Sequence, residues 1–227
     1  MSENVPPIRT LGELEKSLSS LSHSDSAISV IRQFAAEMKD SRERLDVFNA
    51  SGALVRSPIL SEETKALGFT EPSDDFTFLQ GDVISTESAY FLGERVINSP
   101  KYVVLSSSCD LVPDRRQYAA LLRIKEIREE EPESRTKLSY LLKFTGTESM
   151  YLPALPSDAP DVLCNAIKFD GICQIRNADM ALSNRIASLS LVGWRIFASF
   201  SRMVIARATP RESQMRSALE QNLFSPR

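Results

Sequence analysis

Hydrophobic positions in the first third of the chain recur at the spacing of an amphipathic helix. Apolar residues fall three, four and seven apart between Ser24 and Phe48. A shorter helix is predicted around Leu11 to Leu21, inside an otherwise mobile, serine-rich arm, and another over Ser61 to Leu67, where carboxylates lie near the helix N-terminus. The pattern therefore predicts a helical N-terminal region.

The central part of the chain changes to the pattern of β-strands. The segment from Lys101 to Ser106 contains four apolar residues in succession, which is typical of a strand buried on both faces. Further strands are predicted at 81–86, 117–124 and 150–155. Residues 137–144 fit either a helix or a strand. The segment 163–176 contains Asp170-Gly171, which predicts either a tight hairpin or a bulge in one long strand.

Beyond Asn177 the apolar spacing is helical again, with one stripe from Leu189 to Val204. The run Thr209-Pro210-Arg211-Glu212 has the capping-box pattern and predicts a last helix from Pro210 to about Leu223. Helices come first and last, and the strands between them do not alternate with helices, as parallel βαβ units require. This order predicts an α+β fold with a small antiparallel barrel or sheet.

The helix predicted between Ile186 and Arg207 is apolar over more than half of its circumference. A helix packed on one side needs only three or four apolar positions in two turns, so this one must be buried on more than one side. The second cover is either the helix between Ser24 and Phe48 or a second copy of the chain. We predict a homodimer with Trp194 or Phe197 near the contact.

Composition places the chain among ordinary globular proteins. It has 227 residues, a formal net charge of −3, 42% hydrophobic residues and 25% charged residues. The longest stretches without a charge are nine residues, whereas a membrane-spanning helix needs about 20 apolar residues. The three cysteines are too few and too scattered for a disulfide framework, and the first residues lack a secretory pattern. We therefore expect a cytoplasmic protein with no membrane contact.

Several chemistries are disfavoured by what the sequence lacks. Its one histidine, His23, lies in a polar serine-rich stretch, which speaks against a Ser-His-Asp or Cys-His enzyme. No Cys-x-x-Cys pair, Gly-x-Gly-x-x-Gly turn or P-loop occurs. We therefore expect no metal and no cofactor. Arg115 and Arg116 would favour a reactive thiolate at Cys109, but the adjacent Asp110 carboxylate opposes it, so we expect Cys109 to be buried and inert.

Charge is uneven along the chain. Residues 176–227 contain eight arginines and three acids, a net charge of +5, whereas the preceding 175 residues carry −8. Arginine binds phosphate bidentately, so a nucleic-acid contact is one interpretation. The other, which the acidic overall balance favours, is that these arginines pair with acids of the same chain or of a second subunit.

Two segments resemble the PemK/MazF-like proteins. The first is Phe78-Leu79-Gln80-Gly81-Asp82-Val83-Ile84, a Gly-Asp pair followed by β-branched residues. The second is Lys101-Tyr102-Val103-Val104-Leu105-Ser106-Ser107-Ser108-Cys109-Asp110, an apolar run that ends in serines. The family fold is an SH3-like barrel, usually a homodimer. Typical members are toxins that cleave RNA without a metal and are silenced by an antitoxin.

The resemblance implies an α+β fold in which a small antiparallel SH3-like β-barrel at 76–176 is flanked by helices. Before the barrel we place a mobile N-terminal arm at 1–23 and an N-terminal helical region at 24–75. After it we place C-terminal helices at 177–227, packed on the barrel.

Metal-free RNA cleavage needs a base for the 2′-hydroxyl proton, a cation for the phosphorane and an acid for the leaving oxygen. The candidate catalytic residues are Asp82, Arg95, Ser106, Ser108 and Asp110, and the candidates for nucleic-acid contact are Arg115 and Arg116. By the resemblance, Arg95 lies in the loop between the first two barrel strands. The structural alternative treats Asp82 as a turn residue and the serine-rich strand end as a cap.

Two functions remain open at this point. The first is a PemK/MazF-like barrel protein of a toxin–antitoxin or mobile-element defence context that binds or cleaves RNA, in the latter case as a metal-independent endoribonuclease, with an antitoxin or another protein as partner. The second is a non-catalytic protein–protein interaction or regulatory module with a degenerate groove. An open groove holding Arg95 and the segment from Ser106 to Asp110 favours the first function. A groove plugged by the terminal helices favours the second.

Overall fold

A computed structural model describes residues 8–21, 26–66, 78–95, 101–112, 115–205 and 214–218. The α-helices are α1 (Leu11–Ser20), α2 (Ser26–Glu37), α3 (Ser41–Asn49), α4 (Ser61–Ala66), α5 (Ser134–Leu141), α6 (Asn177–Met180) and α7 (Leu191–Ile205). The strands are β1 (Val55–Arg56), β2 (Asp82–Ser85), β3 (Tyr90–Phe91), β4 (Glu94–Arg95), β5 (Lys101–Val104), β6 (Tyr118–Arg128), β7 (Ser149–Leu152), β8 (Val162–Arg176) and β9 (Asn184–Leu189). A 3-10 turn spans Ser108–Leu111. Of the last predicted helix, only 214–218 are described, and they are helical.

These nine strands form one open antiparallel sheet, and the predicted α+β class is confirmed. The strand order is β1-β9-β2-β5-β6-β8-β3-β4, with β7 beside the first half of β8. An SH3-like barrel is not confirmed, because β1 and β4 end the sheet without pairing with each other. Strand β9 lies in a region for which only helices were predicted. It precedes α7 by a single residue, Ser190, so its apolar positions merged with the helical stripe of α7.

The helix predicted between Ser24 and Phe48 is two helices, because Asp40 caps a new one. The Asp40 carboxylate accepts hydrogen bonds from two backbone N–H groups of α3, both at 2.9 Å. Arg44 is buried and donates to the carbonyls of Ala35 and Met38 at 2.6 and 2.9 Å. Carbonyl groups at the end of α2 therefore accept hydrogen bonds from a side chain of α3. These bonds stabilise the break between the two helices.

Apolar side chains form a core on each face of the sheet. The larger core packs α1, α2, α3 and α7 on one face, and the smaller core lies on the other. Strand β5 contributes Val103 to the larger core and both Tyr102 and Val104 to the smaller one. The prediction that β5 is buried on both faces is confirmed.

Helix α1, which the sequence placed in a mobile arm, packs on α7. Leu14 and Leu18 are buried, and Glu15 pairs with Arg195 at 2.8 Å. Helix α2 also contacts α7, and Phe197 is completely buried within the chain. The second side of α7 thus has an intramolecular cover. A second copy of the chain is not needed to cover this side, and the homodimer stays a prediction.

A buried lysine joins β5, β6 and the loop between β7 and β8. Lys101 Nζ contacts the carboxylates of Glu126 and Asp158, and only 11% of the Lys101 side chain and 2% of the Asp158 side chain are exposed. Asp158 also accepts from Asn165 Nδ2 at 2.6 Å. Arg128 contacts the second oxygen of Glu126. These contacts hold three segments that are far apart in sequence.

The ionisation of Glu126 is expected to make the stability of the protein depend on pH. Burial works against its charge, but the hydrogen bonds and charges of Lys101 and Arg128 outweigh burial and lower the pKa of Glu126 below its ordinary 4.5. A lowered folded-state pKa contributes stability that is complete above the unfolded-state value and is lost as pH falls through the folded-state value.

We therefore expect Glu126→Gln to be less stable than the wild type near neutral pH, with a difference that shrinks below about pH 4.5. Urea unfolding at a series of pH values from about 7 to about 3 measures this. Parallel stability curves for the two proteins would show that Glu126 contributes nothing through its charge.

Candidate functional site

Asp82 is a buried carboxylate at the start of β2. It accepts hydrogen bonds from the Ser188 hydroxyl at 2.6 Å and from the Leu79 backbone N–H at 2.8 Å, and Arg185 Nε lies 3.0 Å away. Burial raises the pKa of Asp82, against the hydrogen bonds of Ser188 and Leu79 and the charge of Arg185. These contacts join β2 to β9 and to the preceding turn, as a structural residue would. A catalytic role for Asp82 stays a prediction.

Ser106 and Ser108 use their hydroxyls on the backbone of neighbouring segments. Ser106 Oγ accepts from the Ala120 N–H at 2.8 Å, and Ser108 Oγ accepts from the Gln80 N–H at 3.0 Å. The side-chain amide of Gln80 donates to the Leu105 carbonyl at 2.8 Å. Together these bonds hold the end of β5 against β6 and against the turn before β2, which is what strand-end caps do.

Asp110 and Arg116 form an exposed ion pair in the loop before β6, with Arg116 Nε 3.3 Å from Asp110 Oδ1. Asn177 Nδ2 donates to the backbone carbonyls of both residues, at 3.1 and 2.7 Å. Arg115 is exposed in the same loop. The predicted nucleic-acid-binding arginines therefore lie in a loop that Asn177 ties to the end of β8.

Arg95 lies on β4, at an edge of the sheet, away from the predicted serines. Its Nε donates to the Glu87 carbonyl at 2.7 Å, and its Nη2 lies 3.4 Å from the Glu87 carboxylate. Three strands separate β4 from β5, so Arg95 is roughly 19 Å from Ser106 measured along the sheet. The structure brings Ser106 and Ser108 together but does not bring Arg95 into contact with them.

The cysteines differ in exposure. Cys109 is exposed, so the prediction of a buried thiol there is wrong, because the 3-10 turn that carries it has no buried residue. Burial raises the pKa of Cys164 to about 12 and also raises the pKa of Cys173, which leaves both thiols unreactive. His23 lies outside the described residues. Within those residues, no group of three or more His, Cys, Asp or Glu side chains could hold a metal ion.

Five side chains share one exposed face where β4, β3, β8 and β6 run side by side. Directly opposed residues of antiparallel strands point to the same face. Arg95 pairs with Tyr90, Tyr90 with Gln174, and Tyr118 with Arg176. Gln174 and Arg176 are two residues apart on β8, so their side chains point to the same face of the sheet. The residues paired with them therefore lie on that face as well. We call these five residues the aromatic face.

The aromatic face borders an open cleft of about 490 Å³. Tyr90 is 45% exposed and Tyr118 is 48% exposed, and Leu92 and Ile172 line the same cleft. Four of the eleven exposed large hydrophobic side chains in the described part of the chain therefore gather at one place. Such clustering marks an interaction surface, because single exposed apolar residues are normally scattered.

Leu92 stands at the tip of the β3–β4 hairpin in a strained backbone conformation. Leu92 and Gly93 have φ angles of 52° and 84°, which is the geometry of a type I′ turn that favours Asn-Gly. The leucine side chain is 88% exposed. The chain thus keeps an apolar residue where asparagine would fit the turn better, a departure from local preference that is typical of functional positions.

Comparison of the chain with protein-family models, curated proteins and solved structures finds no match. Among the described helices, none combines the length and the apolar character needed to cross a membrane. The exposure and the contacts of the aromatic face are therefore the features that bear on function.

Proposed function

We propose that this protein binds single-stranded RNA on the aromatic face. The observation that carries the proposal is the position of Tyr90 and Tyr118, two half-exposed rings, on either side of Gln174 and Arg176. The two tyrosines lie on strands two spacings apart, about 10 Å, and are offset by two residues, about 7 Å, along β8. Open sheet surfaces with aromatic rings and cations are a recurring platform for single-stranded nucleic acid.

Each member of the aromatic face has a suitable chemistry. A tyrosine ring stacks on any base and contributes about 1–3 kcal/mol per base. The amide of Gln174 donates and accepts, as recognition of a base edge requires. Arg176 has the planar fork that contacts phosphate oxygens in pairs, whereas Arg95, whose Nε and Nη2 face Glu87, adds positive charge. Arg115 and Arg116, in the loop before β6, add positive charge beside the aromatic face.

The choice of RNA rests on the resemblance to PemK/MazF-like proteins, and the contacts favour binding over cleavage. Cleavage needs a base, a cation and an acid within hydrogen-bond reach of one phosphodiester. Arg95 is instead held by Glu87, and Ser106 and Ser108 are held by backbone groups. An endoribonuclease of a toxin–antitoxin or mobile-element defence context rests on the resemblance alone.

Expression in a bacterial host separates binding from cleavage. We expect intact RNA with the wild-type protein and with Arg95→Ala alike. Growth arrest with fragmented RNA in the wild type, abolished by Arg95→Ala, would show cleavage and overturn the view that the protein only binds.

We also infer that the sheet is an opened form of an SH3-like barrel. β2 and β3 lie at opposite ends of the run β2-β5-β6-β8-β3, yet only residues 86–89 join them. In a flat sheet the two strands would be about 19 Å apart. The five Cα steps from Ser85 to Tyr90 reach at most about 18 Å, even before the offset between the strands is counted. The need for strong curling supports the inference.

Titration of a fluorescently labelled, mixed-sequence single-stranded RNA, followed by anisotropy, tests the RNA proposal. We expect Tyr90→Ala and Tyr118→Ala each to weaken binding about tenfold, because each removes one stacking ring. Tyr140→Ala is the matched control, since Tyr140 is 54% exposed but lies on α5, outside the aromatic face. Binding should become weaker as salt rises if the arginines contact phosphates.

Leu92→Asn distinguishes RNA from a protein partner. The substitution suits the type I′ turn and removes the exposed apolar side chain, so RNA affinity should stay within about twofold of the wild type. Absence of saturable RNA binding, or an equal loss in Tyr140→Ala, would refute the RNA proposal. The exposed Leu92 and Ile172 would then favour the alternative function, docking of another protein on this face.

A further inference from the structure

The pairing between β6 and β8 shifts register at two places, and the wider of the two shifts is at Arg123. Arg123 is the single residue of β6 that faces four residues of β8, 168–171. Of the two alternatives that the sequence left for Asp170-Gly171, the structure has the bulge, because β8 continues through it as one strand. The extra residues border a cleft of about 760 Å³, which we call the bulge cleft.

Cationic side chains dominate the lining of the bulge cleft. They are those of Lys101, Arg123, Lys125, Arg128 and Lys168. The carboxylates among the lining residues are Glu126 and Asp170, and Asp158 and Asp161 pair with Lys101 and Arg128. Five positive and four negative charges leave a net charge of +1. The whole chain carries −3. A local charge of the opposite sign to the whole attracts anions to this cleft.

Two of the five cations have no carboxylate partner among the described residues. Lys101 and Arg128 are held by Glu126 and by aspartates of the β7–β8 loop. Lys168 donates to the Ser149 hydroxyl at 2.9 Å and lies 3.7 Å from Asp170. For Arg123 and Lys125, no described carboxylate lies within ion-pair distance. These two charges are available to a ligand.

Arg123 is held in position without being neutralised. A Cβ at Gly171 would lie 3.1 Å from Arg123 Cβ, so the stem of Arg123 packs directly against the bulge. The guanidinium lies over the Phe91 ring, 5.9 Å from its centroid. A guanidinium ordered in this way loses little entropy when it binds, and its fork suits phosphate oxygens.

A smaller pocket of about 210 Å³ lies beside the bulge cleft and shares Lys125 and Lys168 with it. Apolar atoms of Ile127, Leu141 and Ala166 form much of its wall. The two lysines therefore stand between a cationic cleft and a mainly apolar one. That arrangement fits a ligand with an anionic part and an organic part.

We propose that the bulge cleft binds a small organic molecule that carries adjacent phosphates, of the nucleoside di- or triphosphate class. Arg123 and Lys125 contact the phosphates, Lys168 adds a third cation, and the apolar pocket takes the organic part. Adjacent phosphates match cations that line one cleft, because Arg123 and Lys125 can meet the added charges without a carboxylate competitor. The aromatic face is not needed for this binding.

Isothermal titration of the full chain with sodium pyrophosphate and with ADP tests the proposal. Both should bind saturably, ADP the more tightly because of its organic part. Arg123→Met and Lys125→Met keep the apolar stems and should each weaken binding about tenfold, the loss of one charge-assisted contact. Asp170→Asn removes the carboxylate near Lys168 and should tighten binding. Arg135→Met is the matched control, because Arg135 is 82% exposed and lies outside the cleft.

Several results would overturn the proposal. One is the absence of saturable binding of either probe at millimolar concentration. Another is an equal loss in Arg135→Met, which would show a response to net charge alone. Binding of neither probe, together with single-stranded RNA binding that Arg123→Met weakens, would show that the cleft follows backbone phosphates instead. Tyr90→Ala and Tyr118→Ala should leave pyrophosphate binding unchanged, so failure of the RNA proposal is distinguishable from failure of this one.

Discussion

Gly193→Ala is expected to lower the free energy of unfolding by at least about 3 kcal/mol, because α7 has no room for a methyl group there. A Cβ at Gly193 would lie 2.1 Å from the Leu54 carbonyl oxygen. That oxygen accepts the Ser190 N–H at 2.9 Å, and the Ser190 hydroxyl donates to the Ala53 carbonyl at 2.6 Å. Since the clash is with backbone, relief requires α7 and the segment before β1 to separate.

Gly12→Ala is the matched control for this substitution. Gly12 lies in α1, and a Cβ there would meet nothing within 4 Å. The same change in chemistry should therefore stabilise the protein by up to about 1 kcal/mol through helix propensity. Urea unfolding followed by far-UV circular dichroism measures both variants. A Gly193→Ala protein as stable as the wild type would mean that α7 does not approach residue 54 so closely.

Lys101→Met is expected to lower the free energy of unfolding by about 3–5 kcal/mol. The lysine is the shared partner of Glu126 and Asp158, and its removal leaves the Asp158 carboxylate buried with one fewer countercharge. Methionine keeps the volume, so the loss reflects charge and hydrogen bonds more than packing.

A second substitution separates the charge effect from a packing defect. In the double variant Lys101→Met with Asp158→Asn, the buried negative charge is gone, and we expect part of the lost stability to return. Arg135→Met breaks the exposed pair with Glu129 and should cost less than about 1 kcal/mol. A double variant as unstable as the sum of the two single variants would show no coupling between Lys101 and Asp158.

Local patterns in the sequence predicted individual helices and strands well. They predicted less well where one element ends and the next begins. Strand β5 and helix α4 were predicted from short runs of residues, because burial on both faces and acidic residues near a helix start leave local marks. The break at Asp40 was missed, although Asp40 caps α3 by accepting from the Glu43 N–H, because apolar spacing continues across it. The strand β9 was missed because nothing local separates it from α7.

Most residues of the candidate site could not be predicted from the sequence. Arg95 was singled out from the sequence, but Tyr90 and Tyr118 were not, since nothing near either residue marks it as exposed. Only the register of β3, β6 and β8 brings them to one face with Gln174. Arg123 and Lys168 are likewise 45 residues apart and meet only because the ladder opens between their strands.

The sequence by itself determined the α+β class, the antiparallel pairing of the central strands and the double burial of β5, because these follow from spacing and side-chain hydrophobicity over a few residues. The tertiary structure decided that α1 and α2 cover α7, that the sheet stays open, and that the aromatic face and the bulge cleft exist at all. Those features depend on strand register and on close backbone approaches such as that of Gly193 to Leu54. Register is set by contacts between residues distant along the chain, and no local pattern records it.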